Sequence, residues 1–132
     1  MRALDTNVLV RYLTADDRRQ LALADQVIAA CLREEEPIFV PLLVLCELAW
    51  VLDRSYGHLK PDIVRTLELL LQMAVFRVEQ TDLVRRALQA YRLGRGSFPD
   101  YLILEVSQAA GCRDVVTFDR SVRGTTGFTV LT

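Results

Sequence analysis

Asp5, Glu47, Asp100 and Asp119 stand out among the acids of this 132-residue chain because each closes or interrupts an apolar stretch. Asp5 follows Arg2-Ala3-Leu4 and Asp119 follows Val115-Val116-Thr117-Phe118, so each sits at the carboxyl end of a short strand candidate. Asp100 stands beside Pro99 and ahead of Tyr101-Leu102-Ile103-Leu104, in the first turn of a predicted helix, where a carboxylate also serves as a cap. From Leu42 to Leu52 every residue but Glu47 is apolar, so a helix there is expected to be apolar all round and buried. A carboxylate in such a place is costly unless it pairs with an arginine, takes up a proton or binds a cation.

No basic catalytic partner accompanies these acids, since the chain has one histidine, His58, and one lysine, Lys60. Carboxylates brought together repel one another, and hard cations such as Mg²⁺ or Mn²⁺, which prefer oxygen ligands, offset that repulsion. A site of this kind activates water and neutralises the charge that develops on a phosphodiester, the chemistry of metal-dependent nucleases and phosphatases.

The elements that must position the acids alternate. Strand candidates are Arg2 to Leu4, Ile38 to Val40, Val75 to Val78, Val115 to Phe118 and Phe128 to Leu131. Helical periodicity covers Asp16 to Arg33, with Leu21, Ala24, Val27, Ile28, Cys31 and Leu32 on one face. Pro61 opens a helix to Met73, Thr81 is the expected cap of Asp82 to Leu93, and Gly94 and Gly111 suit positions just past two helices. Strands alternating with helices predict an α/β fold with a mostly parallel sheet, and ligands in such sheets gather at the carboxyl ends of the strands. No repeat or linker divides the chain, so residues 1–132 are expected to form a single domain.

With these residues in order, the sequence resembles the PIN-domain ribonuclease family and, within it, the toxins of VapBC toxin–antitoxin modules. The resemblance rests on Leu4-Asp5-Thr6-Asn7-Val8-Leu9, Glu47-Leu48-Ala49, Pro99-Asp100-Tyr101-Leu102-Ile103 and Thr117-Phe118-Asp119, spread over essentially the whole chain. It implies a three-layer α/β/α sandwich and a Mg²⁺ or Mn²⁺ site, built by Asp5, Glu47, Asp100 and Asp119, that cleaves RNA. It also implies that Thr6 and Thr117 donate hydroxyl hydrogen bonds to water at the metal and that Asn7 organises the first loop. A cognate antitoxin protein and a homodimer belong to the same expectation, with an antitoxin helix laid along Leu42 to Leu52 and a basic side chain meeting Glu47. Val122 departs from the pattern, standing where members often carry an aromatic residue.

The formal charge is -1, with 16 Lys+Arg against 17 Asp+Glu, so no basic tail marks a nucleic-acid partner. Setting the four site acids aside leaves the remainder positive. Arg85 and Arg92 share a face of one predicted helix, with Arg86 and Arg95 nearby, a group suited either to a phosphate backbone or to plain solvation. Glu105 lies well round its helix from Asp100 and is expected to be solvated or salt-bridged. The longest apolar run, Ile38 to Leu52, is interrupted by Pro41 and Glu47 and is too short to span a bilayer, and no secretory signal opens the chain. A cytoplasmic protein without membrane attachment is expected. Cys31, Cys46 and Cys112 form no Cys-x-x-Cys pair and are read as buried reduced thiols.

Other α/β phosphoryl chemistries fit less well. A haloacid-dehalogenase-type phosphatase needs a second aspartate where Asn7 stands, and P-loop or dinucleotide sites need glycine patterns that are missing. A metal-dependent phosphatase and a catalytically inactive PIN-like interaction module remain as alternatives.

Overall fold

The computed structural model describes all 132 residues, as two compact units, Met1–Glu79 and Gln80–Thr132. The first contains β1 (Arg2–Ala3), α1 (Thr6–Thr14), α2 (Arg18–Arg33), β2 (Ile38–Val40), α3 (Leu42–Arg54), α4 (Lys60–Gln72) and β3 (Phe76–Val78). Its strands pair in parallel in the order β1-β2-β3, with Arg2 opposite Ile38 and Ile38 opposite Phe76. Such pairing needs a crossover between successive strands, and α1–α2 and α3–α4 supply the two crossovers. Ile38 and Val40 are buried with Leu9, Ile28, Leu45, Leu48, Leu52, Leu67 and Leu70 in one apolar core.

Local chemistry sets the ends of these helices. Asp17 caps α2 by accepting from Gln20 N at 3.0 Å, and Ala24, Ile28 and Cys31 turn its buried face inward. α1, which periodicity alone did not reveal, starts at the Asp5 cap and stops where Ala15 turns left-handed at φ 55°. At the start of α3 the Leu42 amide donates to the Glu79 carboxylate at 2.8 Å, an acid at the positive end of a helix. The segment after α2 is the solvated turn expected of Glu34-Glu35-Glu36, closed by Glu36 N donating to Cys31 O at 2.9 Å.

The second unit contains α5 (Thr81–Leu93), α6 (Phe98–Ala109), β4 (Val115–Thr117), a short 3-10 turn (Arg120–Val122) and β5 (Phe128–Val130). β4 and β5 pair in parallel, so Asp5 and Asp119 follow strands of separate ladders. α5 buries Leu83, Val84, Ala87, Leu88 and Tyr91, and α6 buries Phe98, Tyr101, Leu102 and Leu104. Tyr91 meets Phe98 edge-on at 6.1 Å between ring centres, and Tyr101 meets Phe128 at 6.3 Å.

Three local expectations change. Thr81 is the first helical residue of α5 rather than its cap; the N-cap is Gln80, left-handed at φ 46°, with no side-chain cap bond. Gly94 is not left-handed, with φ -101°; it is glycine because a Cβ there would lie 1.8 Å from the Tyr101 hydroxyl oxygen. Gly111 does take the left-handed position after α6, at φ 95°. Of the cysteines, only Cys31 is buried; Cys46 is half-buried and Cys112 exposed, since Cys112 follows the end of α6 rather than lying on its core face.

Candidate active site

Asp5 is both the residue after β1 and the cap of α1. Its Oδ1 accepts from Val8 N at 3.2 Å, and its other oxygen has no protein partner. The next residue, Thr6, is the one buried polar side chain of the chain, and its hydroxyl donates across to Glu47 Oε2 at 2.8 Å. That bond ties α1 to α3. Asn7 lies inside α1, not in a loop, and lines a cavity of about 340 Å³ with Asp5, Val8, Arg11, Gln20, Leu23, Ala24 and Val27.

Glu47 departs from expectation in one respect. Its side chain is exposed, because Val44, Leu45, Leu48, Ala49 and Leu52 fill the inner side of α3 and leave Leu43, Glu47 and Trp50 on the outer side. The broad apolar face expected over Leu42 to Leu52 is therefore mostly core. No arginine pairs with Glu47. Partial burial, and then the Glu47 charge, push the neighbouring Cys46 thiol above its usual range and keep it from acting as a thiolate.

In the second unit Asp100 occupies the third position of α6 in a capping box. Its Oδ2 accepts from Ser97 N at 2.8 Å and from Ser97 Oγ at 2.9 Å, while Ser97 Oγ accepts from Asp100 N at 3.3 Å. Behind it the Gly96 amide donates to the Tyr101 hydroxyl at 2.9 Å. Val122 is buried against Gly96, where an added Cβ would come 2.8 Å from Val122 Cγ1 and 3.1 Å from Asp100 Oδ2. The small residue at 122 thus fits close packing behind Asp100.

Asp119 caps the 3-10 turn, its Oδ1 accepting from Ser121 N at 2.8 Å, and its own amide donates to Thr117 Oγ1 at 3.0 Å. Hydrogen bonding from Ser121 holds the Asp119 carboxyl below the usual carboxylate range, so it stays ionised in mild acid.

The four acids share one arrangement. Each is anchored through a single oxygen, Asp5 by Oδ1, Glu47 by Oε2, Asp100 by Oδ2 and Asp119 by Oδ1, and none is in an ion pair. A carboxylate fixed through one oxygen presents the other as a hard, oriented ligand, which is what Mg²⁺ or Mn²⁺ takes. Within neither unit do three or more His, Cys, Asp or Glu side chains gather as a metal cluster.

The hydroxyl roles divide. The Thr6 hydroxyl donates to Glu47 Oε2, whereas the Thr117 hydroxyl oxygen accepts from the Asp119 amide. Of the basic candidates, Arg86 is held by Glu105 at 3.0 Å, as expected for Glu105, while Arg85 and Arg95 are exposed and Arg92 bonds Gln89 at 2.9 Å. Ser97 and Ser121 were not among the sequence candidates. The Ser97-x-x-Asp100 spacing is a capping-box pattern and carried that signal; Ser121 had none beyond being two residues past an aspartate.

Replacing Thr6 with valine keeps the shape and removes the donor. The Thr6→Val protein is expected to melt within a few degrees of the parent and, if the acids serve the RNA cleavage that the resemblance implies, to lose roughly 10-fold in rate, less than Glu47→Gln, which a parallel melt and rate measurement would check.

The PIN domain model matches residues 2–126 of the chain. The chain belongs to the PIN domain family. A VapC ribonuclease of Aquifex aeolicus (strain VF5) is 30% identical to it over 120 residues, covering 91% of this chain and 88% of that one. Membership bears out the α/β, PIN-like three-layer reading, and every strand pair of this PIN domain is parallel. No helix of this PIN domain is long and apolar enough to cross a membrane.

Proposed function

We propose that this PIN domain is a Mg²⁺- or Mn²⁺-dependent endoribonuclease and the toxin of a toxin–antitoxin pair. The observation that carries the reading is the single-oxygen anchoring of Asp5, Glu47, Asp100 and Asp119, the residues we assign to the cation. The likeness to a VapC ribonuclease supports RNA as substrate. When bound, the cation supplies charge neutralisation at the phosphodiester and an acidified water. The chain's own part is to hold ligands still: the Val8 and Ser121 amides, the Ser97 hydroxyl and amide, and the Thr6 hydroxyl each fix one carboxylate oxygen before any ligand arrives. Thr117 is left to orient groups beside Asp119, and Arg85, Arg92 and Arg95 to meet phosphates.

The cognate antitoxin is the partner in this reading. The apolar walls Val8, Leu23, Ala24 and Val27 of the cavity beside Asp5 suit its peptide better than the buried Leu42 to Leu52 stretch, and its basic side chain would meet the acids. Exposed Leu93, Ile103, Val116 and Phe118 support a homodimer. A cytoplasmic location follows from acting on RNA.

The test offers the purified chain RNA, a small phosphoester and neither metal nor EDTA, then each in turn. RNA cleavage that needs Mg²⁺ or Mn²⁺, stops in EDTA and leaves 5′-phosphate and 3′-hydroxyl ends is the expected result. Phosphoester turnover without RNA cleavage would favour a phosphatase, and 2′,3′-cyclic phosphate ends would refute the water mechanism. Expression of the chain alone should arrest growth, with rescue by its adjacent antitoxin gene.

A further inference from the structure

α3 carries an aromatic feature that the acid chemistry leaves unused. Leu43, Glu47, Trp50 and Arg54 fall on one line along its outer side, and Trp50 remains 55% exposed. Trp50 and Arg54 follow Glu47 by about 4.5 Å and about 10.5 Å along the helix axis, on nearly the same face. The Arg54 guanidinium carbon lies 4.8 Å from the centre of the Trp50 ring, a cation–π contact that steadies the indole while leaving more than half of the side chain open.

We propose that Trp50 and Arg54 form a stacking platform for an unpaired base of the RNA next to the cut. The inference rests on the ribonuclease reading and assigns these two side chains to an unpaired base, because a base offers a free π-face only when it is out of a duplex. Charge decides between occupants. An apolar protein surface laid over Trp50 would strip water from the Glu47 carboxylate on one side and the Arg54 guanidinium on the other, leaving both without new partners. A nucleotide matches the two groups beyond Glu47: base on indole and phosphate on guanidinium, with Glu47 left in water at the edge. Stacking makes no hydrogen bond to a base edge, so the platform binds without reading sequence.

Trp50 is the only tryptophan in the chain, so its fluorescence reports on this spot alone. The full-length protein in EDTA would be titrated with a short fluorescently labelled single-stranded RNA and with a blunt duplex of the same sequence. Tryptophan emission and RNA anisotropy would be read together, and cleavage in Mg²⁺ measured separately for the parent, Trp50→Phe and Trp50→Ala. Single-stranded RNA should quench the emission along the same saturation curve as the anisotropy, with the duplex binding more weakly. Trp50→Ala should raise Kd and KM roughly 5- to 100-fold with kcat within about 2-fold, and Trp50→Phe should recover most of the loss.

RNA that binds without changing the emission, Trp50→Ala with unaltered KM, or no RNA binding at all would overturn the platform. So would an emission shift on raising protein concentration alone, with the mass doubling, which would show a second copy over Trp50. Cleavage in Mg²⁺ alongside any of those results leaves the ribonuclease reading standing, whereas stacking without cleavage sinks that reading and keeps the platform.

Discussion

Asp5→Asn and Asp100→Asn are each expected to cut RNA cleavage by on the order of 100-fold or more, the scale of losing one charge contact to the transition state. Both should stay folded. Asn accepts the same hydrogen bonds as Asp, so the Val8 amide at α1 and the Ser97 amide at α6 keep their partners. What the amide removes is ligand charge. If the acids repel one another without metal, each variant melts at or slightly above the parent in EDTA, and Mg²⁺ raises the melting temperature of the parent more than that of either variant. Equal Mg²⁺ shifts in all three proteins would show that these residues do not hold the cation.

The largest stability loss is expected from Gly94→Ala. The new Cβ would lie 1.8 Å from the Tyr101 hydroxyl oxygen and 2.6 Å from its ring carbon, on a side chain only 1% exposed. The ring has no room to retreat, because it packs edge-on against Phe128. Moving it also withdraws the acceptor from the buried Gly96 amide, just ahead of the Ser97–Asp100 capping box. Overpacking and an unsatisfied buried donor together cost about 2–5 kcal/mol. A fall of roughly 10 °C in melting temperature follows, with activity falling alongside because Asp100 loses its support. Gly111→Ala, where nothing lies within 4 Å of the new Cβ but φ is 95°, should cost only the smaller backbone penalty, which makes it the matched control.

The strands were legible in the sequence to within a residue or so, because short apolar runs bounded by polar residues have few other uses in an α/β chain; Ile38–Val40 is found as read. α1 was not. Thr6 to Thr14 is a short helix containing the β-branched Val8 and Val10, whose preference leans away from helix, so the Asp5 cap and the left-handed Ala15 define it better than its periodicity does. The exposure of Glu47 was also hidden. Leu43 and Trp50 are apolar, so composition blurred a periodicity in which Val44, Leu45, Leu48, Ala49 and Leu52 already supply a full inner face. The positions of the acids at element starts were legible, since Asp5 and Asp119 follow apolar runs and Asp100 stands at a helix start, and each caps a helical segment. Their anchors were harder to see, because Thr6–Glu47 spans forty-one residues of sequence and only folding brings that pair together.

Asp5, Asp100 and Asp119 each satisfy backbone amides at the start of a helical segment, so those segments begin without help from a cation. Many metal-using domains stay unfolded until the ion arrives, which makes ion supply a brake on their appearance. Here the caps of α1, α6 and the 3-10 turn come from the chain itself, so on the ribonuclease reading folding and loading with the cation are separate steps. On the proposed toxin reading, restraint then falls to the antitoxin, and the timing of the two syntheses becomes the control point.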